Sequence, residues 1–157
     1  MRPARDRVLS ALREALRDAL EAVGRGAAMA RDEATSAESR PENQYDTRAL
    51  EASYLAAGQG ERLAAARALV GWAELLSPKP ATRIEAGALA LLDGPGGERW
   101  VLFSPRGGPE LCVDGVRLTL ISVTSPLGSS LAGLSAGDDA EVDSPTGVQS
   151  WVVTEVG

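Results

Sequence analysis

The residues best suited to chemistry in this sequence lie in one acidic stretch, SRPENQYDTR at positions 39–48, with Glu38 just before it. Glu38 and Glu42 stand on either side of an arginine and a proline. The chain has no histidine and one cysteine, so it lacks Ser-His-Asp and Cys-His machinery and the ligands of a zinc site. Any metal chemistry must therefore use carboxylates, which favour Mg²⁺ or Mn²⁺ held loosely with a partner's help.

The sequence gives no sign of nucleotide or DNA recognition. No GxGxxG follows a strand and no GxxxxGK[ST] is present. The net charge of −6 is uneven, because residues 1–80 carry 12 basic and 12 acidic side chains whereas residues 81–157 carry 4 and 10. Contacts to phosphates need surplus cations, so the acidic C-terminal half argues against direct, sequence-specific DNA binding.

The composition, 44% apolar and 24% charged, is that of a globular protein. No apolar run approaches the roughly 20 residues that cross a bilayer, and the charged N-terminus lacks the apolar segment of a secretory signal. Cys112 lies in the strand-like sequence LCVDG, where we expect a buried apolar residue rather than a reactive thiol. These features predict a cytoplasmic protein without membrane segments.

The first half of the chain has helical periodicity. Residues 5 to about 35 carry a seam at alternating spacings of three and four, formed by Leu9, Leu12, Leu16, Ala19, Val23, Gly26 and Ala30. Arginines such as Arg5 and Arg13 fall away from that seam, and most of them are interpreted as solvated. A second helix is predicted from after Pro41 to about Leu76, where Pro78 and Pro80 end it. A short turn makes the helices antiparallel, so residues 1–78 form a hairpin with an acidic tip near 38–46.

Beyond Pro80 the pattern changes to short runs rich in Val, Leu, Ile and Thr, separated by turns that contain Gly and Pro. We predict about five antiparallel strands over residues 81–157, with a short helix at 125–134. The fold class is therefore α+β. A domain of this size has a marginal core, so we expect the base of the hairpin to dock onto it.

Residues 121–147, ISVTSPLGSSLAGLSAGDDAEVDSPTG, closely resemble the C-terminal domain of the GreA/GreB transcript cleavage factors. The matching positions are Ile121, Ser122, Ser125, Pro126, Leu127, Gly128, Leu131, Gly133, Gly137, Asp138, Pro145 and Gly147. Ser130 is the one clear departure, since the family often has alanine there. The resemblance implies an FKBP-like C-terminal domain after an N-terminal antiparallel coiled coil, which is the order deduced above.

The resemblance also implies a function, that of a transcription elongation factor which binds bacterial RNA polymerase at its secondary channel. In the family the C-terminal domain docks at the rim while the coiled coil enters the channel. Two acidic tip residues help to hold the second, weakly bound Mg²⁺ and orient a water, and the polymerase cleaves backtracked RNA at its own active site. The chain is then an accessory factor and no enzyme, binds no Mg²⁺ in isolation, and is expected to be a monomer.

Family tips resemble D-L-(K/S)-E-N-A-E-Y, and aligning the Glu-Asn pair places Glu42 on the second functional acid. Ser39 occupies the position of the first acid, and Glu38 is its nearest replacement. Glu42 and Glu38 are therefore the predicted catalytic and Mg²⁺-binding residues. Asp46, near the start of the second helix, is interpreted as structural, because an acid there is favourable against the helix dipole.

In the C-terminal domain, Pro126, Leu127 and Gly128 are expected to build the fold. Ser122, Ser125 and Asp138 are the predicted polymerase-binding residues. The resemblance alone does not separate the two roles for these residues.

Of three alternative functions, the first stays open and the sequence argues against the other two. The changed first acid and the shortened tip are compatible with a Gre-like regulator or inhibitor that occupies the channel without cleavage. A prolyl isomerase would need an aromatic-lined pocket, but residues 81–157 contain only Trp100, Phe103 and Trp151, which a small core would use. A hairpin that merely oligomerises is opposed by the alanine-rich seam beyond Val23.

Overall fold

The computed structural model describes residues 1–38 and 47–157, and the side chains of residues 34–38, 47–49, 52 and 53 lie outside that description. The described part divides into two compact units. Unit 1 comprises Met1–Ala15 and Ala73–Gly157, and unit 2 comprises Leu16–Trp72. Among the described residues, no helix has the length and apolar character needed to cross a membrane.

Two long helices form the first half of the chain, as predicted. Helix α1 spans Arg5–Glu38 and helix α2 spans Thr47–Glu74. Within unit 1, Arg13 of α1 binds the carbonyl oxygens of Ala73 and Leu76, and within unit 2, Gly26 faces Gln59. As the residue number increases along α1, the number of the facing residue in or after α2 decreases, so the chain directions are antiparallel within each unit.

A six-stranded sheet follows, in the spatial order β3-β4-β2-β1-β6-β5. The strands are β1 (Leu89–Gly94), β2 (Gly97–Ser104), β3 (Leu111–Val113), β4 (Val116–Ser122), β5 (Asp139–Ser144) and β6 (Gly147–Val156). Helix α3 (Pro126–Leu131) lies between β4 and β5 in sequence. The predicted α+β organisation, a helical hairpin followed by a small β domain with one short helix, is confirmed.

The sheet differs from the prediction in having six strands and one parallel pair, β2 with β4. The cause is the dipeptide Asp114-Gly115, which interrupts the run ELCVDGVRLTLIS. Both residues have positive φ, 54° and 77°, as a two-residue hairpin turn of type I′ requires. This turn reverses the chain between β3 and β4, so that β4 runs parallel to β2.

Each face of the sheet contributes to the apolar interior of unit 1. On one face, Val101, Phe103, Trp151 and Val153 pack with Leu131 of α3. On the other face, Leu102 pairs with Leu89 and with Leu120, and all three side chains are buried. The start of α1 belongs to the same unit and supplies the buried side chains of Val8, Leu9 and Leu12. The first turns of α1 are therefore part of the folded β domain, in line with the expected docking of the hairpin's base.

Cys112 is exposed, and the prediction that it is buried is wrong. Its neighbours Leu111 and Val113 are buried, because side chains alternate between the two faces along a strand. The run LCV therefore has two core residues, with the cysteine pointing the other way.

Candidate functional site

The predicted catalytic pair, Glu38 and Glu42, falls at the end of α1 and beyond it. Glu38 is the last residue of α1, while its side chain and the whole of Glu42 lie outside the described residues. The last turn of α1 contains no basic residue. The role of Glu38 and Glu42 as catalytic and Mg²⁺-binding residues therefore stays a prediction.

Ser125 caps the short helix α3. Its backbone is extended, with φ −67° and ψ 159°, and its Oγ accepts a hydrogen bond of 3.0 Å from the Gly128 N–H. The same hydroxyl donates to the carbonyl oxygen of Ser122 over 2.7 Å. Ser125 thus satisfies one N–H that the first turn of a helix otherwise leaves without a partner.

Ser122, at the end of β4, links that strand to the loop after β2. Its Oγ donates to the Pro105 carbonyl oxygen over 3.1 Å and accepts from the Thr124 N–H over 3.2 Å. The Thr124 hydroxyl lies 2.8 Å from the same oxygen. The hydroxyl of Ser122 therefore has several partners within the domain.

Asp138 organises the turn between α3 and β5. Its side chain is exposed, and Oδ2 accepts a 2.8 Å hydrogen bond from the Ser135 N–H. Its own N–H donates to the Ser135 carbonyl oxygen, and its carbonyl oxygen accepts from the Val153 N–H. The carboxylate closes a tight turn and still presents its other oxygen to solvent.

The structure brings Ser122 and Ser125 into direct hydrogen-bond contact and places Asp138 after the other end of α3, where its carboxylate binds the Ser135 N–H. All three have a role inside the domain, and their role in binding a partner stays a prediction. Position 128 of the same motif requires glycine, because a Cβ there would overlap the Ser122 carbonyl oxygen. The expectation that this glycine builds the fold agrees with that geometry.

Sequence reasoning missed the importance of Arg5. Its guanidinium binds three carbonyl oxygens, at 3.0 Å to Gly87, 3.0 Å to Gly157 and 3.0 Å to Ser77. Burial lowers the pKa of Arg5, and the nearby charge of Arg2 lowers this pKa further. No signal in the sequence separates Arg5 from the arginines interpreted as solvated, because its acceptors are 72 to 152 residues away.

Arg13 also departs from the interpretation as a solvated side chain. Its Nε donates to the Ala73 carbonyl oxygen over 3.0 Å, and its Nη2 donates to that of Leu76 over 3.3 Å. These carbonyls lie at the C-terminal end of α2, where a helix leaves acceptors without partners and favours a positive charge.

Among the described residues, no group of side chains is suited to hold a metal ion. In residues 1–33 and the described side chains from 50 onward, no three carboxylates or cysteines are grouped so that they could hold an ion. Trp100, Phe103 and Trp151 are all buried in unit 1, as expected if the core of a small domain uses its three aromatic side chains.

The C-terminal part of the chain matches one protein-family model. Residues 114–157 match the family model described as "Transcription elongation factor, GreA/GreB, C-term". The matched segment begins at the β3–β4 turn and includes Ser122, Ser125, Gly128 and Asp138. No curated protein matches the chain.

Among solved structures, the chain is similar to GreA factor homolog 1 (Gfh1) of Thermus thermophilus, with 23% identity, a TM-score of 0.41, and coverage of 94% of this chain and 95% of that one. The chain is also similar to Gfh1 of Thermus aquaticus, with 21% identity, a TM-score of 0.39, and coverage of 94% of each chain. For a GreA/GreB elongation factor from Nitrosomonas europaea the identity is 25% and the TM-score is 0.37. The match covers 63% of this chain and 78% of that one. These overall superpositions are too loose to support an argument about function.

Proposed function

We propose that this chain, whose residues 114–157 match the GreA/GreB C-terminal family model, is a transcription elongation factor of that family that binds bacterial RNA polymerase and stimulates cleavage of backtracked RNA. The observation that carries the proposal is the family match of residues 114–157 in a chain whose preceding residues form an antiparallel helical hairpin. The C-terminal domain docks at the secondary channel, the hairpin enters it, and the chain acts in the cell interior as a monomer.

Glu42 and Glu38 supply carboxylate oxygens to the weakly bound Mg²⁺ of the polymerase. Two carboxylates alone do not displace the water shell of Mg²⁺, but beside ligands already in place they can complete a two-metal site. Such a site stabilises both the attacking water and the leaving oxygen.

The test is transcript cleavage in a stalled, backtracked elongation complex, with wild type, Glu42→Ala, Glu38→Ala and the double variant. We expect Glu42→Ala to reduce cleavage to the rate of polymerase alone while polymerase affinity stays nearly unchanged. Asp46→Ala is the matched control, an acid of the same stretch interpreted as structural, and should cleave like wild type. Undiminished cleavage by Glu42→Ala would remove Glu42 from the mechanism.

A second candidate function is a channel-binding regulator that does not promote cleavage. Ser39 favours it, because this serine stands where the family pattern has its first acid. The same assay separates the two functions. A wild-type chain that binds the polymerase but cuts no faster than polymerase alone supports the regulator and contradicts cleavage stimulation.

A further inference from the structure

Four glycines lie at one level of unit 2, two in each helix. Gly24 and Gly26 are in α1, and Gly58 and Gly60 are in α2. The nearest atoms to a Cβ built on Gly24 and Gly26 belong to Leu63 and Gln59, which fixes the register of the two helices. We call these four residues the glycine tier.

Close packing does not require these glycines. A Cβ on Gly24 would lie 3.9 Å from Leu63 Cδ1, and one on Gly26 would lie 3.6 Å from Gln59 Oε1, both ordinary contact distances. A Cβ on Gly58 or Gly60 would meet nothing within 4 Å. None of the four has a positive φ. Alanine would therefore fit at every position of the tier.

Glycine in a helix interior destabilises the helix relative to alanine, because it has more backbone freedom to lose. The glycine tier places four such residues at one level of the two helices, although packing requires none of them. Both helices are therefore easiest to bend at this level. Sharp helix bends commonly occur at glycine, proline or inserted side chains, and α1 and α2 contain no proline.

The space around the tier is also loosely filled. An open cleft of about 500 Å³ begins at Gly26 of the tier and extends past Ala30 and Leu55. The buried apolar side chains of α1 at this level are only Ala27 and Ala30, whereas leucines are buried nearer its start. Small side chains and an adjacent cleft leave room for the helices to shift without unpacking a core.

We propose that the glycine tier is a hinge at which the hairpin bends. Residues 31–38 and 47–55, on the far side of the tier, then change direction relative to the rest of unit 2. Resting on the proposed function, this bending lets the hairpin adjust the approach of its acidic end inside the polymerase.

The hinge is tested by double electron–electron resonance in a Cys112→Ser background, which removes the one native thiol. Labels at Asp18→Cys and Glu33→Cys span the tier in α1, and labels at Glu51→Cys and Arg67→Cys span it in α2. Straight helices would separate the backbone positions of these pairs by about 22 and 24 Å at 1.5 Å per residue. We expect broad distance distributions with shorter components for the native tier.

Replacing all four tier glycines by alanine should narrow both distributions toward the straight-helix values. Gly71→Ala is the matched control, since Gly71 is also in α2 and a Cβ there would meet nothing within 4 Å. This control should leave both distributions broad. If the distance distributions of the protein with the native tier are as narrow as those of the quadruple alanine variant, the hinge proposal is wrong.

The cleavage assay adds an independent readout. The quadruple alanine variant should stimulate cleavage at least about fivefold less than Gly71→Ala, and an equal rate would overturn the use of the hinge in the polymerase. If wild type stimulates no cleavage, the proposed function fails while the distance distributions still decide whether the tier bends.

Discussion

At the scale of single residues, the most consequential side chain in unit 1 is Arg5. Through hydrogen bonds to Ser77, Gly87 and Gly157 it joins the start of α1 to the segment after α2, to the segment before β1 and to the segment after β6. Hydrogen bonds from a charged donor contribute more than neutral ones, about 1.5–3 kcal/mol each when measured by substitution. One guanidinium therefore holds together segments that are distant in sequence.

We expect Arg5→Met to lower the free energy of unfolding of unit 1 by about 2–3 kcal/mol, since it removes the charged donor from three carbonyl oxygens, including the part-buried one of Gly87. Urea unfolding followed by tryptophan fluorescence measures the change, because Trp100 and Trp151 are buried in that unit. The exposed Arg106 provides the control Arg106→Met, which should change stability by less than about 0.5 kcal/mol. Equal effects of the two substitutions would contradict the role of Arg5.

Gly128 is a second residue whose identity the structure explains. Gly128→Ala places a Cβ on the Ser122 carbonyl oxygen, a backbone atom that cannot move without disturbing β4. We expect a loss of roughly 1–3 kcal/mol, the usual cost of overpacking, seen as a lower midpoint of thermal unfolding. Ser130→Ala, on the same helix and exposed, should unfold near the wild-type midpoint. A stable Gly128→Ala would show that the loop after β4 can relax.

At the scale of elements, the β3–β4 hairpin decides the topology of the sheet. Its turn needs positive φ at Asp114 and Gly115, and Asp114 also forms an ion pair with Arg7 at the start of α1. The hairpin is thereby linked to the helix as well as to β2. The family match begins at this same aspartate.

Gly115→Ala tests the turn without any steric clash, because a Cβ on Gly115 would meet nothing within 4 Å. The cost is then conformational, and a left-handed backbone costs a residue with a Cβ roughly 1–2 kcal/mol. Chemical denaturation should show this decrease, and Asp114→Asn should show less, since asparagine tolerates positive φ well. A neutral Gly115→Ala would mean that the turn adopts another geometry in solution.

At the scale of the whole molecule, buried apolar side chains are concentrated in unit 1. Among the described residues, unit 2 contributes only Leu16, Ala27 and Ala30 to the buried apolar set. Regions with few buried apolar contacts open at lower free energies than cores. This difference in local stability suits the proposed function, in which a stable unit 1 binds the polymerase and the helices of unit 2 deform more easily.

Hydrogen exchange should therefore separate the two units. We expect the amides of β1, β2 and β6 to be protected at least about tenfold more than those of residues 20–33 and 54–70 in the helices. Mass spectrometry of exchanged peptides measures both sets in one experiment. Equal protection, lost together as denaturant is added, would show that the two units open as one.

Local sequence patterns were sufficient to predict the two long helices, the change to strands beyond Pro80 and the motif Ser125-Pro126-Leu127-Gly128 that resembles the GreA/GreB pattern. Each of these depends on local periodicity, on proline or on a fixed spacing, and all such signals lie within a few residues of one another. Only the tertiary structure decided that β4 runs parallel to β2, that Cys112 is exposed, and that Arg5 and Arg13 bind carbonyl oxygens. Strand pairing and long-range hydrogen bonds join residues distant in the chain, and periodicity carries no information about such partners.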